Sequence, residues 1–424
     1  MKTINMSTRL SRKYVEANKP SRLYLMVELA TGEKTPQQER LPLNLGFVID
    51  RSGSMGGEKL AYTKQAVNYA VNHLAGSDYA SLTVYDDEAD VLVEGQAVVD
   101  KDRFRAGISR IFCGGCTNLS GGLIRGYREV MKNHGPERMN RVLLLTDGLA
   151  NQGITDKTKL CRKVSEMKNT GVAVTTLGVG EDFDEDLLTA MAEASGGSYF
   201  FIDSTEKIPA IFAQEMQALL SVVAQNVKLV FCESEYADVT RVWGYRPAGD
   251  KEISINLPDI FSSDRRVILM EITLSGFEIG SLPIGALSLS YDDVEADLAY
   301  KSYTIDLAVE CTDDKLLLDQ PADCEVMLNV ELNRTADIKE EAILMADAGD
   351  IDGATDIMGK QLDVLTCYEA GVLPDECTRE LKQEVANINA SLLSLRHEKY
   401  NAMTRKRMAY ESYLRRKSQK LRGN

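Results

Sequence analysis

The side chains best suited to chemistry in this sequence are oxygen donors in three short loops. Asp50, Ser52 and Ser54 lie in the segment DRSGSMGG. Thr117 lies in CGGCTNLSGG, and Asp147 lies in the TDG that follows the apolar run RVLLL. Carboxylates and hydroxyls, without nitrogen or sulfur, suit a hard cation, Mg²⁺ before Ca²⁺. We therefore expect these five residues to hold a metal ion if the fold brings them together.

Each loop also has a purely structural explanation. The Asp-x-Ser-x-Ser segment could be a capping turn before a helix at Glu58, and Thr117 could cap a helix that begins near Ser120. Asp147 and Gly148 could form an ordinary turn. The combination favours a site, because two of the loops leave apolar strands at their carboxyl ends, where open parallel sheets place their binding crevice.

Between residues 43 and 218, apolar strand-like segments alternate with segments of helical spacing. The strand-like segments are LNLGFVI, YASLTVYD, RVLLLTD, VAVTTLGVG and SYFFID. This alternation predicts a doubly wound, Rossmann-like α/β domain whose parallel sheet is covered by helices on both faces. We place this domain at residues 39–222.

The pattern changes after the α/β domain. Short apolar runs there alternate with polar residues and are separated by turn residues, which predicts an antiparallel β-sandwich over residues 223–333. The segment RLYLMVEL lies in the N-terminal segment 1–38 and predicts the first sandwich strand, at residues 22–30. The α/β domain is therefore expected to be inserted between the first strand of the sandwich and the remainder.

The C-terminal region, residues 334–424, is expected to be helical. Its pattern predicts two helices broken around AGDIDG and a long helix that begins at Pro374 and carries an apolar stripe including Met403 and Tyr410. Residues 397–424 carry nine Lys and Arg against two Glu, in a chain whose net charge is −15. That acidic total argues against nucleic-acid binding. We expect this basic tail to pack on the protein's own surface.

The sequence also bears on the cellular compartment. No apolar run is long enough to cross a bilayer, and the first thirty residues lack an apolar signal core. We therefore expect a cytoplasmic protein whose eight cysteines are reduced thiols. Cys113 and Cys116 have metal-ligand spacing, but no second such pair completes a zinc site, so a redox or metal role for CGGC stays an alternative.

The motifs and their order resemble those of von Willebrand factor A domains. In that family a metal-ion-dependent adhesion site combines Asp-x-Ser-x-Ser with a separate Thr and a separate Asp, and all five positions are present here. The runs GGCTNLSGGL and LLLTDGLANQGI look like the bacterial, chloride-channel-like and inter-alpha-trypsin-inhibitor-like branch. The resemblance covers residues 40–220. It departs from the family at Cys116, where a small residue such as Ser or Gly is expected.

The resemblance implies roles for the five residues. Ser52, Ser54 and Thr117 would coordinate the metal directly. Asp50 and Asp147 would act mainly through water or as hydrogen-bond acceptors. A cation held by neutral hydroxyls keeps much of its charge and an open position for an outside ligand.

The leading functional hypothesis is a protein-binding module without enzymatic activity. An Asp or Glu carboxylate of a partner protein would complete the coordination of Mg²⁺, with Ca²⁺ or Mn²⁺ as alternative ions. The residues expected at the rim of the partner contact are Met55, Cys116, Asn118 and Leu149.

Two other functions remain open. A metal-dependent hydrolase or phosphotransferase would need a general base or nucleophile near the metal. None of the three histidines, His73, His134 and His397, falls in the loops, and the sequence has neither a GxxxxGK[ST] phosphate loop nor an HExxH motif. The third hypothesis is a structural subunit in which the metal only stabilises the fold.

Overall fold

The computed structural model divides into two compact units, which are described separately. One comprises Met1–Lys34 with Val223–Asn424, and the other comprises Thr35–Val222. The residues that the structure describes are 3–33, 40–245, 249, 251–296, 298–369, 373–397 and 400–417.

Strands and helices are numbered in chain order. The strands are β1 (Ile4–Leu10), β2 (Tyr14–Glu16), β3 (Ser21–Thr31), β4 (Leu43–Asp50), β5 (Tyr79–Tyr85), β6 (Ala89–Ala97), β7 (Met139–Thr146), β8 (Val172–Val179), β9 (Tyr199–Ile202), β10 (Val222–Glu233), β11 (Ala237–Val242), β12 (Glu252–Asn256), β13 (Ile260–Phe261), β14 (Arg265–Leu274), β15 (Gly280–Asp293) and β16 (Ala299–Thr312). The helices are α1 (Glu58–His73), α2 (Lys101–Ser109), α3 (Leu119–Met131), α4 (Lys157–Asn169), α5 (Glu185–Ser195), α6 (Ile208–Leu220), α7 (Lys315–Leu318), α8 (Cys324–Asp347), α9 (Ile351–Glu369), α10 (Asp375–His397) and α11 (Ala402–Arg416).

The Thr35–Val222 unit is built on a six-stranded sheet of order β6-β5-β4-β7-β8-β9. Its neighbouring strands pair in parallel, except that β6 pairs antiparallel with β5. Every residue of the central strands β4 and β7 is buried, as expected where helices flank both faces of a sheet. The predicted α/β class is confirmed. Strand β6 is not predicted by the alternation of strands and helices, because it follows β5 through a hairpin without an intervening helix.

The other unit contains two sheets that share one apolar core. The first has the order β1-β3-β14-β11, and the second has the order β12-β10-β15-β16-β2, with β13 beside β10. The shared core includes Leu25 and Ile268 from the first sheet and Leu229 and Leu287 from the second. This is a loose sandwich, and its pairing of β16 with β2 is parallel. The predicted strand at 22–30 corresponds to β3, which pairs antiparallel with β14 along its length.

One detail of the sheets and one of the helices differ from the sequence analysis. Strand β3 is not the first sandwich strand, because β1 and β2 precede it and β1 pairs antiparallel with β3. The sequence INMSTRL of β1 has no continuous apolar run, so it gives a weak strand signal, although Ile4 and Met6 are buried.

The predicted start of the helical region at residue 334 is too late, because α8 begins at Cys324. The Asp323 carboxylate caps α8 by accepting from the backbone N–H groups of Glu325 and Val326, each at 3.0 Å.

The single long helix predicted from Pro374 is wrong, because the chain forms α10 and α11 instead. Asn401 caps the N-terminus of α11, and its side chain accepts a hydrogen bond from the backbone N–H of Thr404 at 2.9 Å. The buried face of α11 runs through Thr404, Met408 and Ser412 rather than through Met403 and Tyr410.

The final helix packs inside its own unit, which confirms that part of the expectation for the basic tail. The Ser412 hydroxyl donates to the Ala336 carbonyl of α8 at 3.3 Å, and the Lys417 ammonium donates to the Gly244 carbonyl at 2.8 Å. Residues 418–424 of the tail lie outside the described residues. Within the described part of the chain, no helix is both long and apolar enough to cross a membrane.

Candidate metal-binding site

The two acidic residues of the predicted site lie side by side because their strands pair. Asp50 is the last residue of β4, and Asp147 follows the last residue of β7. These strands are parallel neighbours, with Ile49 opposite Leu145. Both carboxylates are therefore at the carboxyl edge of the sheet, and both are fully buried.

Hydrogen bonds join these carboxylates to the two serines. Asp50 accepts from the backbone N–H of Ser52 at 2.8 Å and from the Thr146 hydroxyl at 2.7 Å. Asp147 accepts from the Ser54 hydroxyl at 2.7 Å. The hydroxyl oxygens of Ser52 and Ser54 are 3.2 Å apart. Each acid thus holds one part of the loop after β4, and the two serine hydroxyls meet beside them.

Thr117 borders the same small space. A Cβ atom built on Gly148, the residue after Asp147, would lie 3.3 Å from the Thr117 hydroxyl and 3.7 Å from the Ser54 hydroxyl. The backbone N–H of Thr117 donates to the Asn151 side chain at 3.0 Å, which anchors the threonine to the loop after β7. The structure therefore brings all three predicted hydroxyls to one edge of the sheet.

The CGGC segment before Thr117 lies against the loop after β4. The Gly114 N–H donates to the Arg51 carbonyl at 2.7 Å, and the Gly53 N–H donates to the Gly115 carbonyl at 3.0 Å. A Cβ atom on Gly114 would lie 1.7 Å from an Asp86 carboxylate oxygen, and one on Gly115 would lie 1.8 Å from Asp87. A side chain at either position would displace one of these carboxylates, so the two glycines let the CGGC segment pack closely against the turn after β5.

The site carries an excess of negative charge. Burial raises the pKa of Asp50 to about 6, hydrogen bonds from Thr146 and Ser52 lower it, and the charge of Asp147 adds to the rise. Lys59 offsets one acid, since its ammonium nitrogen lies 2.5 Å from Asp147 Oδ2. With both acids ionised, one negative charge stays uncompensated by Lys59, and a bound cation would favour that ionised state.

The donor set fits a hard divalent cation. Its oxygens come from three hydroxyls and two carboxylates, which is the chemistry that Mg²⁺, Mn²⁺ and Ca²⁺ prefer. Among the residues that the structure describes, no group of three or more His, Cys, Asp and Glu side chains could hold a metal ion. The CGGC cysteines are both exposed free thiols. The described residues therefore form no cluster of thiolates or imidazoles of the kind that holds structural zinc.

The predicted partner-binding rim is only partly exposed. Met55 is fully buried, so its assignment to the rim is wrong: the short 3₁₀ turn at Gly53–Met55 directs this side chain into the core. Asn118 caps α3 by accepting from the Gly121 N–H at 2.9 Å. Cys116 is exposed, and Leu149 is 57% exposed.

Sequence reasoning missed three residues at or beside the site. Thr146 holds Asp50, and Lys59 holds Asp147. Their positions offer a weak signal, because Thr146 immediately precedes the TDG aspartate and Lys59 lies in the first turn of α1, just after the glycine loop. Phe112 is an apolar side chain that is 70% exposed and directly precedes the CGGC segment.

Comparison with known proteins bears on the fold and the family. Residues 44–214 match the family model of the von Willebrand factor type A domain. An uncharacterized protein of Synechocystis sp. is 28% identical over 302 residues, which cover 68% of this chain and 71% of that protein. Inter-alpha-trypsin inhibitor heavy chain H1 of Bos taurus is 28% identical over 216 residues, which cover 48% of this chain and 23% of that protein. The solved structure of a von Willebrand factor type A protein from Catenulispora acidiphila has a TM-score of 0.72 at 16% identity, covers 96% of each chain, and thus shares the fold.

Proposed function

Residues 44–214 form a von Willebrand factor type A domain, and we propose that this chain is a protein-binding module whose contact depends on a divalent cation, Mg²⁺ in the first place. Domains of this family commonly mediate metal-dependent protein interactions. In the proposed site, the hydroxyls of Ser52, Ser54 and Thr117 hold the cation. An Asp or Glu carboxylate of a partner protein completes the coordination.

One observation carries this proposal. The two serine hydroxyls lie 3.2 Å apart, and a buried carboxylate stands behind each serine. Asp50 holds the backbone of Ser52, and Asp147 holds the hydroxyl of Ser54. Buried acids are costly without a positive partner, and Lys59 offsets only one of the two, so a cation beside the serines would stabilise this arrangement.

The neutral donors determine what the site can recognise. A divalent cation held by hydroxyls supplies a concentrated positive charge that attracts an oxygen anion from outside. Asp50 and Asp147 are fully buried behind the serines, so they position the serine loop without presenting their own charge to a partner. The residues of this chain thus favour an acidic side chain as the external ligand.

A hydrolase would use these groups differently. It needs a general base within hydrogen-bond reach of the reacting group. Both oxygens of Asp147 are engaged, one by Ser54 and one by Lys59, and both oxygens of Asp50 accept hydrogen bonds from Ser52 and Thr146. The acids of the site are therefore better suited to hold the loops than to move protons.

The test combines cation binding with partner release. Mg²⁺ and Mn²⁺ are titrated by calorimetry into the full chain and into Thr117→Ala, with Thr158→Ala as the control because Thr158 is an exposed threonine on α4. We expect Thr117→Ala to lose saturable binding and Thr158→Ala to retain it. The immobilised chain is then used to retain proteins in Mg²⁺, and EDTA should release a partner that Thr117→Ala does not retain.

The outcomes separate the three hypotheses. Release by EDTA together with loss in Thr117→Ala supports the binding module. Turnover of a phosphate ester or an ester substrate that requires the same threonine supports the hydrolase or phosphotransferase. Cation binding that raises the melting temperature, without any cation-dependent partner, supports the structural subunit. Equal cation binding by wild type and Thr117→Ala contradicts the assigned site.

A further inference from the structure

Lys59 makes a contact that the oxygen-donor motif does not explain. Its ammonium nitrogen lies 2.5 Å from one oxygen of Asp147, while the Ser54 hydroxyl donates to the other oxygen at 2.7 Å. The Asp147 side chain is fully buried, and the Lys59 side chain is 25% exposed. The same carboxylate is therefore shared between the proposed cation site and a permanent positive charge of the chain.

The position of Lys59 is unfavourable for its own helix. Lys59 is the second residue of α1, where the positive end of the helix dipole disfavours a cation. The turn is nevertheless held in place, since the Thr63 hydroxyl donates to the Lys59 carbonyl at 2.7 Å. Helix stability does not account for a lysine here, whereas the ion pair with Asp147 does.

We propose that Lys59 is an internal competitor of the divalent cation, which stabilises Asp147 without metal and keeps the affinity of the site for metal low. This inference rests on the proposed cation site. With both acids ionised, Lys59 reduces their joint charge from two negative units to one. A positive charge fixed on Asp147 also repels a cation held beside Ser54. The site would then bind its cation reversibly, and a partner's carboxylate would add to its retention.

The experiment removes the charge and keeps the length of the side chain. Mg²⁺ and Mn²⁺ are titrated into wild type, Lys59→Met and Lys59→Arg, and the melting temperature of each is measured in EDTA. We expect Lys59→Met to bind both cations about tenfold more tightly, which is a modest share of the effect of one nearby charge, and to melt at a lower temperature in EDTA. Lys59→Arg retains the charge and should resemble wild type.

The matched control is Lys157→Met. Lys157 is an exposed lysine at the start of α4, so its loss changes the net charge equally and should leave cation affinity unchanged. Should Lys59→Met fail to fold, Lys59→Gln replaces it, because an amide can still donate to Asp147.

The outcomes distinguish this inference from the proposed function. Saturable binding by wild type, with equal or weaker binding by the uncharged Lys59 variants, overturns the role of Lys59 and leaves the cation site standing. Absence of saturable binding in wild type and in all folded variants overturns both. Tighter binding in Lys59→Met and in Lys157→Met alike would mean that net charge alone is responsible, and would also overturn the specific role of Lys59.

Discussion

Replacing Lys339 by methionine should be among the most damaging single changes in the helical region. Lys339 of α8 is 1% exposed, and its ammonium lies 2.8 Å from Glu384 of α10 and 2.5 Å from Glu411 of α11. The methionine variant fills most of the space but leaves two largely buried carboxylates without their shared cation. Removing one partner of a buried ionic group costs about 3 to 5 kcal/mol. For a unit of this size that corresponds to a fall in melting temperature of roughly 6 to 20 °C.

The chain offers a direct assay for this loss. Its only tryptophan, Trp243, is buried against Val326 and Val330 of α8, so tryptophan fluorescence follows unfolding of the unit that contains Lys339. The control is Lys360→Met, because Lys360 pairs with Asp356 on the exposed surface of α9, with both side chains more than half exposed. Exposed pairs contribute about 0 to 1 kcal/mol, so this variant should melt close to wild type.

The pH dependence of the Lys339→Met effect has a defined sign. Burial raises the pKa of Glu411, the charge of Lys339 lowers it, and Glu384 adds to the rise. A carboxyl group whose pKa is raised on folding binds protons more readily in the folded state, so stability falls as pH increases through that pKa. Removing Lys339 raises the pKa of Glu411 further, because the charge of Lys339 lowers it. The difference in free energy of unfolding between wild type and Lys339→Met should therefore narrow on acidification from pH 8 to pH 5. A difference below about 1 kcal/mol, or one independent of pH, would refute the reasoning.

Two further predictions concern the Thr35–Val222 unit. A fragment of residues 38–222 should fold cooperatively by circular dichroism, because its six-stranded sheet and the helices on it are complete within that range; a molten or unfolded fragment would contradict this. Arg40→Ala should lower the free energy of unfolding by about 2 to 4 kcal/mol at pH 7, measured by denaturant titration. Arg40 binds both oxygens of the buried Asp78, at 2.7 and 2.6 Å. The expected loss is somewhat less than for a fully buried pair, because the Arg40 side chain is 25% exposed. Burial raises the pKa of Asp78, but Arg40 and the backbone N–H groups of Leu43 and Ala75 bring it below its ordinary value. The stabilisation from ionised Asp78 is fully present above its unfolded pKa of about 3.9 and is lost as pH falls through its folded pKa. Wild type should therefore lose more stability than Arg40→Ala below pH 4.

The location of the candidate site could be predicted because it depends on the order and direction of the strands more than on the exact bounds of the helices. Asp50 and Asp147 each follow an apolar strand of an alternating α/β pattern. Such strands are parallel, and their carboxyl ends lie at one edge whatever the exact helix boundaries are. Thr117 is assigned from its motif, and in the structure its hydroxyl and that of Ser54 both border Gly148.

Side-chain direction within the loops could not be predicted in the same way. Met55 is expected at the rim of the partner contact, yet the 3₁₀ turn at Gly53–Met55 directs its side chain into the core. Residue spacing likewise does not show that the ammonium of Lys59 reaches Asp147. These positions depend on local backbone geometry, which periodicity does not encode.

The first turns of α8 show a different limit. Leu328, Val330 and Leu332 alternate with polar residues as a strand would, and the predicted sandwich range of 223–333 includes them. In the structure this segment is a helix buried on two sides. Val326 and Val330 pack with the sheet residues around Trp243, while Leu328 and Leu332 pack with the other helices. A helix covered on both sides has no single apolar face, so its periodicity resembles that of a strand.

The distribution of charge around the candidate site gives the proposed function its physical logic. A cation bound directly by several carboxylates would be neutralised and would have little attraction left for a partner. Here the residues assigned as direct donors are neutral hydroxyls, the two acids are buried behind them, and one acid is already paired with Lys59. A divalent cation in this setting would leave the site with one positive charge in excess, counting Asp50, Asp147 and Lys59. An acidic side chain is then the ligand that completes both the coordination and the charge balance, which is why the affinity for cation and the affinity for partner should be measured together.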